Sequence, residues 1–371
     1  MGPMSYRYID TPEQLSALVS FLDQGQVQTW MIDTEFVRVR TYYAKLGLIQ
    51  MYNGEQGYLV DPLALEMDGF WQALSRHDWV LHAFSEDLEI ILRCAGMLGR
   101  SVYDTQVGAA FLGEGASMGF QRFVAAELDI DIEKGEARTN WLARPLTQAQ
   151  LQYAWNDVAY LYPAYLKQIE KLEQSGFLSF AQQECQRLAK DKSRKVVPDL
   201  AYIDVKNSWK LKPSELAILK ELASWRVVQA QARDLALNNV VHADSLIVLA
   251  QAKPRSWSAL NNLRLPKHEL RIHGQSLLKL VEQGIAVDPK DRPLKIERMV
   301  DFPSYKKDLA RLREVVTKVA EETGLPEDIL GQKKILNGFL LWHWQGRDQE
   351  KLPILLSSWR AALFETHLLD F

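Results

Sequence analysis

The feature that most constrains this chain is a change of hydrophobic period near residue 190. Before it, short apolar runs alternate with amphipathic stretches. After it, almost every segment repeats at helical spacing, punctuated by Pro254, Pro266, Gly274, Gly284, Pro289 and Pro293. Short apolar runs between amphipathic stretches call for a sheet covered by helices, whereas helical spacing throughout calls for helix packed on helix. The charge run Lys190 to Lys195 and the helix-breaking Val197-Pro198-Asp199 mark the junction. A second break, Asp288 to Pro293, divides the helical half. A length of 371 residues accommodates this many domains. The expected spans are 1–196 for the first domain, then 207–289 and 290–371 for two helical ones.

Within the first domain, Thr11-Pro12-Glu13 reads as a helix start, followed by Leu15, Leu18, Val19 and Leu22 at helical spacing. Strand-like runs follow at Thr29 to Val37, Leu46 to Tyr52 and Gly57 to Val60, with Asn53-Gly54 as a hairpin turn between the last two. A helix around Phe70 to Ser75 leads to a further run, Trp79 to Ala83. Ser85 is placed to cap the next helix, whose face is Leu88, Ile91 and Leu92. Early antiparallel strands and then alternating helices and strands predict a mixed sheet. In the helical half, His242-Ala243-Asp244-Ser245-Leu246 and Pro326-Glu327-Asp328-Ile329-Leu330 occupy similar places and hint at a duplication.

Composition excludes some classes. Two cysteines, Cys94 and Cys185, sit in no CxxC pair or Cys/His cluster, so neither a zinc site nor a disulfide framework is expected. No apolar run approaches a membrane span, and Met1 to Asp10 lacks a signal-peptide pattern. A cytoplasmic protein without a membrane partner is expected. The net charge of −3 hides an asymmetry. Through Lys195 there are 18 Lys and Arg against 25 Asp and Glu, a net −7, and the remainder carries +4. An acidic part suits cations, and a basic part suits phosphates.

The chemistry rests on carboxylates. Asp33 and Glu35 lie two apart in Met31-Ile32-Asp33-Thr34-Glu35-Phe36, so a strand points both to one face. Such a pair repels itself unless protonated or bridged by a cation. A hard dication such as Mg²⁺ or Mn²⁺ suits the oxygen donors. A strand end with polar residues entering solvent would look the same. Asp87 follows the Trp79–Ala83 run and fits either a ligand or an acidic first helical turn. Tyr153 and Asp157 stand four apart and share a helix face. Asp104 reads as a helix N-cap or a ligand, and His82 as a core histidine or a substrate contact.

Taken together, Asp-x-Glu on a strand, Asp at a helix start and Tyr-x-x-x-Asp on a late helix resemble the DEDD 3′→5′ exonuclease superfamily, tyrosine subclass. The chain is similar, more closely, to the bacterial ribonuclease D family. The resemblance is carried by Asp33-Thr34-Glu35-Phe36, Thr41-Tyr42-Tyr43, Leu46-Gly47-Leu48-Ile49-Gln50, His82 through Glu89, Asp104-Thr105-Gln106 and Trp141 through Leu146. The histidine subclass would place His at the position of Gln152. The helical half resembles paired HRDC domains.

The resemblance implies an α/β ribonuclease H-like exonuclease domain followed by two all-α HRDC-like domains. It implies Asp33, Glu35, Asp87 and Asp157 as ligands of two divalent cations, Mg²⁺ or Mn²⁺, with Tyr153 completing the catalytic set. Hydrolysis would release 5′-mononucleotides from RNA with a free 3′-OH, tRNA precursors above all, and the enzyme would act as a monomer. Phe36, Arg38, Arg40, Tyr42 and Tyr43 interleave basic and aromatic residues suited either to stacking bases and meeting phosphates or to a half-buried strand and loop. Arg138 and Arg144 flank Trp141 and join His82 as further candidate substrate contacts. In the helical half, Arg226, Arg233, Lys253, Arg255, Lys267 and Arg271 are candidate RNA contacts. Two other functions fit: a single-stranded DNA exonuclease of the same fold, and a non-catalytic RNA-binding scaffold.

Overall fold

The computed structural model describes residues 5–132, 135–136, 138–369 and 371. Strands β1 (Tyr6–Ile9), β2 (Thr29–Val37), β3 (Lys45–Tyr52), β4 (Gly57–Val60), β5 (Asp78–Leu81) and β6 (Ser101–Asp104) form one sheet, in the order β1-β4-β3-β2-β5-β6. The pairs β2–β3 and β3–β4 are antiparallel, and β1–β4, β2–β5 and β5–β6 are parallel. The sheet is mixed, as the sequence predicts. Strands β1 and β6 were not legible, and their place is set by the neighbours they pair with. Trp30, Met31 and Ile32 are fully buried, as a central strand covered on both faces requires.

Helix α1 (Pro12–Asp23) starts at a Thr11–Gln14 capping box. It is followed by α2 (Asp68–Leu74), α3 (Ser85–Ala95), α4 (Thr105–Phe111), α5 (Phe120–Leu128), α6 (Gln148–Gln174) and α7 (Leu178–Lys192). Helix α6 begins at a second capping box, Thr147 with Gln150, and packs across β2, β3 and β4. Its Trp155 lies so close to β4 that a Cβ at Gly57 would come within 2.2 Å of the indole. Glycine is required there by that approach.

The helical half divides in a way the periodicity did not predict. Helices α8 (Pro213–Arg233), α9 (Leu237–Val240), α10 (Ala243–Ala252), α11 (Trp257–Asn261) and α12 (Lys267–Ala286) precede α13 (Tyr305–Thr323), α14 (Glu327–Leu330), α15 (Lys333–Trp344) and α16 (Ser358–Phe364). One compact unit comprises Met1–Val37, Lys45–Arg194 and Ser304–Phe371, and the other Arg38–Ala44 and Lys195–Pro303. The last four helices therefore belong with the sheet. Arg360, only 1% exposed, pairs through Nη1 with Glu184 Oε2 on α7 at 2.6 Å and donates to the carbonyls of Ile329 and Leu330. Trp359 donates to the same carboxylate at 3.1 Å, and its ring meets Phe180 and Phe111 at 5.4 and 5.1 Å. Burial raises the Glu184 carboxyl, but hydrogen bonds from Arg187 and Arg360 outweigh it and hold the group at about 2.

In the second unit, α8, α10 and α12 enclose a core that includes Leu216, Leu219, Leu246 and Leu277. The short segment 38–44 is fastened there. Arg40 O accepts from the Ala236 amide at 3.0 Å, the Tyr43 amide donates to Asp234 Oδ1 at 3.0 Å, and Tyr42 packs on the core. Arg226 is a correction to the expected RNA contacts. It is buried, and its guanidinium donates to Val241 O. Among the described residues, no helix is long and apolar enough to cross a membrane.

Candidate active site

Strand β2 carries Asp33 and Glu35 at alternate positions, and its register against β3 shifts between Glu35 and Phe36. Such a bulge bends a strand and re-aims its side chains. Helix α6 brings Tyr153 and Asp157 to the same cleft. One carboxylate oxygen from each of Asp33, Glu35 and Asp157 lies within 4.8 Å of the others. Asp87, in the first turn of α3, lines the cleft and accepts a 2.5 Å hydrogen bond from Thr34 Oγ1. The cleft holds about 220 Å³, and Phe36, His82, Phe120 and Leu161 add less polar walls.

The corner leading to Asp87 is held from a distance. Ser85 does not cap α3. The cap position falls on Phe84, with no side-chain hydrogen bond, and Ser85 is the first helical residue. Ala83 stands at φ 58°, a left-handed conformation that costs a β-carbon residue roughly 1–2 kcal/mol. Asp104, at the end of β6, supplies what is missing. Its carboxylate accepts from the amides of Ala83 at 2.8 Å and Phe84 at 3.1 Å, and also from Gln106 at 2.8 Å. The cap of α4 was legible in the sequence. The long-range clamp on the Asp87 helix was not.

Electrostatics set the state of the carboxylates. Burial, and then the charges of Asp87, Asp157 and Glu35, hold Asp33 well above the usual range. Burial, followed by Asp157 and Asp87, pushes Glu35 up to about 9. Asp157 rises to about 7 through burial, although the Tyr153 hydroxyl hydrogen-bonds it. Asp87 rises to about 6 through burial, against the Thr34 bond. Without a cation this cleft takes up protons, and several oxygen donors with excess negative charge are a site for a divalent metal. The Tyr153 phenol is raised too, by burial and by Asp157, Glu35 and Asp33, so it stays protonated at neutral pH. Its ring rests against the fully buried Trp141 at 6.2 Å.

The remaining candidates fall into different places. Phe36 and His82 line the cleft. His82 is fixed between Thr105 Oγ1 and Met118 O, at 2.9 Å each, and stacks on Phe123. Burial lowers it to about 4, so the ring is neutral. Arg144 is committed to structure: its guanidinium pairs bidentately with Asp61 at 2.5 and 2.7 Å and donates to Gly47 O and Trp141 O. Arg38, Arg40, Tyr42 and Tyr43 belong to the segment of the second unit, and Arg138 is exposed. The bond from Thr34 to Asp87 and the clamp of Asp104 on the Ala83–Phe84 corner are the work that the sequence did not reveal.

Residues 6–173 match the 3′-5′ exonuclease family, 215–281 the HRDC domain, and 303–368 the C-terminal HRDC domain of ribonuclease D. The ribonuclease D of Psychromonas ingrahamii is 41% identical over 365 residues, covering 97% of this chain and 98% of that protein. The ribonuclease D of Escherichia coli K12 is 38% identical over 363 residues, covering 97% and 96%. The crystal structure of Escherichia coli RNase D, described as an exoribonuclease involved in structured RNA processing, superposes with a TM-score of 0.92 at 38% identity over 98% of each chain. A protein from Bifidobacterium adolescentis, at 20% identity and a TM-score of 0.67 over 96% of this chain and 94% of that one, shares the fold.

Proposed function

We propose a mechanism and a substrate for a chain that belongs to the ribonuclease D family and is a 3′→5′ exoribonuclease. In this reading Asp33, Glu35, Asp87 and Asp157 hold two divalent cations, Mg²⁺ or Mn²⁺. The observation that carries it is the convergence of all four carboxylates and Tyr153 on one cleft. Ionised, the four carry −4, and two dications balance that charge with the hard donors those ions prefer. When bound, the cations supply a lowered pKa for an attacking water and charge stabilisation for the leaving 3′-oxygen.

The chain's own residues do the rest. A protonated phenol is no general base, so Tyr153, anchored by its bond to Asp157, orients the water. Phe36 and Phe120 offer apolar faces against which a terminal base can rest. His82, neutral and locked on both ring nitrogens, shapes the wall without taking part in proton transfer. Arg38, Arg138, Tyr42 and Tyr43 remain proposed substrate contacts. The nuclease domain spans 1–196 and the HRDC-like domains 207–289 and 290–371. The substrates are RNAs with a free 3′-OH, tRNA precursors and other small structured RNAs first, and the products 5′-mononucleotides. A cytoplasmic monomer completes the proposal, and the two free cysteines are compatible with a reducing compartment.

The test compares a 5′-labelled tRNA precursor, an unstructured RNA and a single-stranded DNA, each with Mn²⁺ and with EDTA. Stepwise shortening from the 3′ end, loss of activity in EDTA and preference for RNA are expected. Equal rates on DNA would move the substrate assignment to single-stranded DNA, and internal cuts would overturn the proposed mechanism.

A further inference from the structure

A second set of ligand-type side chains converges in the unit formed by α8–α12. His242 precedes α10, and His268 and Glu269 lie in the first turn of α12. One ligand atom from each lies within 4.8 Å of the other two. The two imidazoles stand at the surface, 6.0 Å apart edge to face, while Glu269 is fully buried. Glu269 Oε1 accepts twice from His242, from its backbone amide at 2.9 Å and from ring Nδ1 at 2.5 Å. The other oxygen, Oε2, is buried without a hydrogen-bond partner. A buried carboxylate oxygen in that state is costly and needs a counterpart. Arg226 attracts it through space, but the guanidinium hydrogen bond goes to Val241 O.

We propose that His242, His268 and Glu269 form a binding site for a borderline transition-metal dication, Zn²⁺ first, which replaces the proton between His242 and Glu269. Two imidazole nitrogens and one carboxylate oxygen are a donor set that Zn²⁺ favours and that Mg²⁺ does not. Three protein ligands leave a fourth tetrahedral position for water. Zinc bonds of roughly 2.0–2.2 Å put tetrahedral neighbours about 3.3–3.6 Å apart. The His242–Glu269 pair, at 2.5 Å, thus has to open by about 1 Å, and the wider pairs, within 4.8 Å, to close by about 1.5 Å at most, movements that the exposed imidazoles can make while Glu269 stays in place. The Arg226 charge and the positive ends of α10 and α12 oppose a cation, which weakens the affinity. The bound ion ties the starts of α10 and α12, both packed on α8, and so stabilises this unit.

The full-length protein, with its carboxylate cleft saturated by millimolar Mg²⁺, is titrated with ZnCl₂ by calorimetry, and its melting is followed. Co²⁺ is added in a parallel absorption experiment. The wild type should take up one more equivalent of Zn²⁺ than His268→Ala, with a rise in melting temperature and a visible tetrahedral Co²⁺ band that the variant lacks. His242→Ala should behave as His268→Ala does, and both should keep wild-type Mg²⁺-dependent nuclease activity. His268 is exposed, so its removal leaves the fold intact. Equal Zn²⁺ uptake and equal Co²⁺ spectra in wild type and His268→Ala would overturn the proposal.

Discussion

Replacing Glu35 by Gln should make the metal-free protein more stable while destroying its activity. Glu35 is 8% exposed, and its carboxyl is pushed from 4.5 to about 9 by burial and by Asp157 and Asp87. Between those values the folded state holds a proton that the unfolded state has released. Stability of the metal-free protein therefore falls as pH rises from about 4.5 towards 9. Each pKa unit is worth about 1.4 kcal/mol, so the penalty at pH 8 is at most about 5 kcal/mol. Water entering the open cleft reduces this, and a gain of about 1–3 kcal/mol is expected for the neutral, isosteric Gln. That corresponds to roughly 2–8 °C in melting temperature for a unit of this size. The assay is thermal melting in EDTA at pH 5 and pH 8. The gain should be small at pH 5 and grow with pH. Added Mn²⁺ should reverse the order, because the wild type gains the metal's binding energy and the variant loses a ligand. Equal melting of the two proteins at pH 8 in EDTA, or a difference that shrinks with rising pH, would refute the reasoning.

Tyr153→Phe should lower kcat by roughly 10²–10⁴, the scale for losing one orienting or proton-handling group, while the Mn²⁺-induced rise in melting temperature stays as in wild type. Full activity would leave Tyr153 with a packing role alone. Asp104→Ala should leave the Ala83 and Phe84 amides unpaired at about 1–3 kcal/mol each and lower kcat by displacing Asp87; melting and single-turnover kinetics would show both. Arg360→Ala should cost about 1–3 kcal/mol, because it removes one of the two arginines on the buried Glu184 and leaves Arg187 as the remaining one. In the wild type Glu184 contributes stability that is present above about 4.5 and fades as pH falls towards 2, and acid melting curves of the two proteins should converge there. A 3′-phosphate should block RNA, since an added dianion meets the carboxylate ring; equal rates on 3′-OH and 3′-phosphate ends would contradict that.

The sequence by itself determined the elements that carry chemistry. Two-residue spacing put Asp33 and Glu35 together on a strand, four-residue spacing put Tyr153 and Asp157 together on a helix, and Thr11-Pro12-Glu13 marked where α1 begins. These are local regularities of the backbone, so they survive in the order of residues. The change of period near residue 190 likewise told sheet from helices. Other features are relations between segments far apart in the chain, and only the tertiary structure decided them. Asp104 holds the corner before Asp87 across 20 and 21 residues, and Arg360 reaches Glu184 across 176. Arg226 looked like a surface cation, and its burial depends on where α8 packs. Arg144 looked available to a substrate until Asp61 came within 2.5 Å of it. The upward shift of the carboxylates also belongs to the fold, because like charges and excluded water act through distance, which the order of residues does not record.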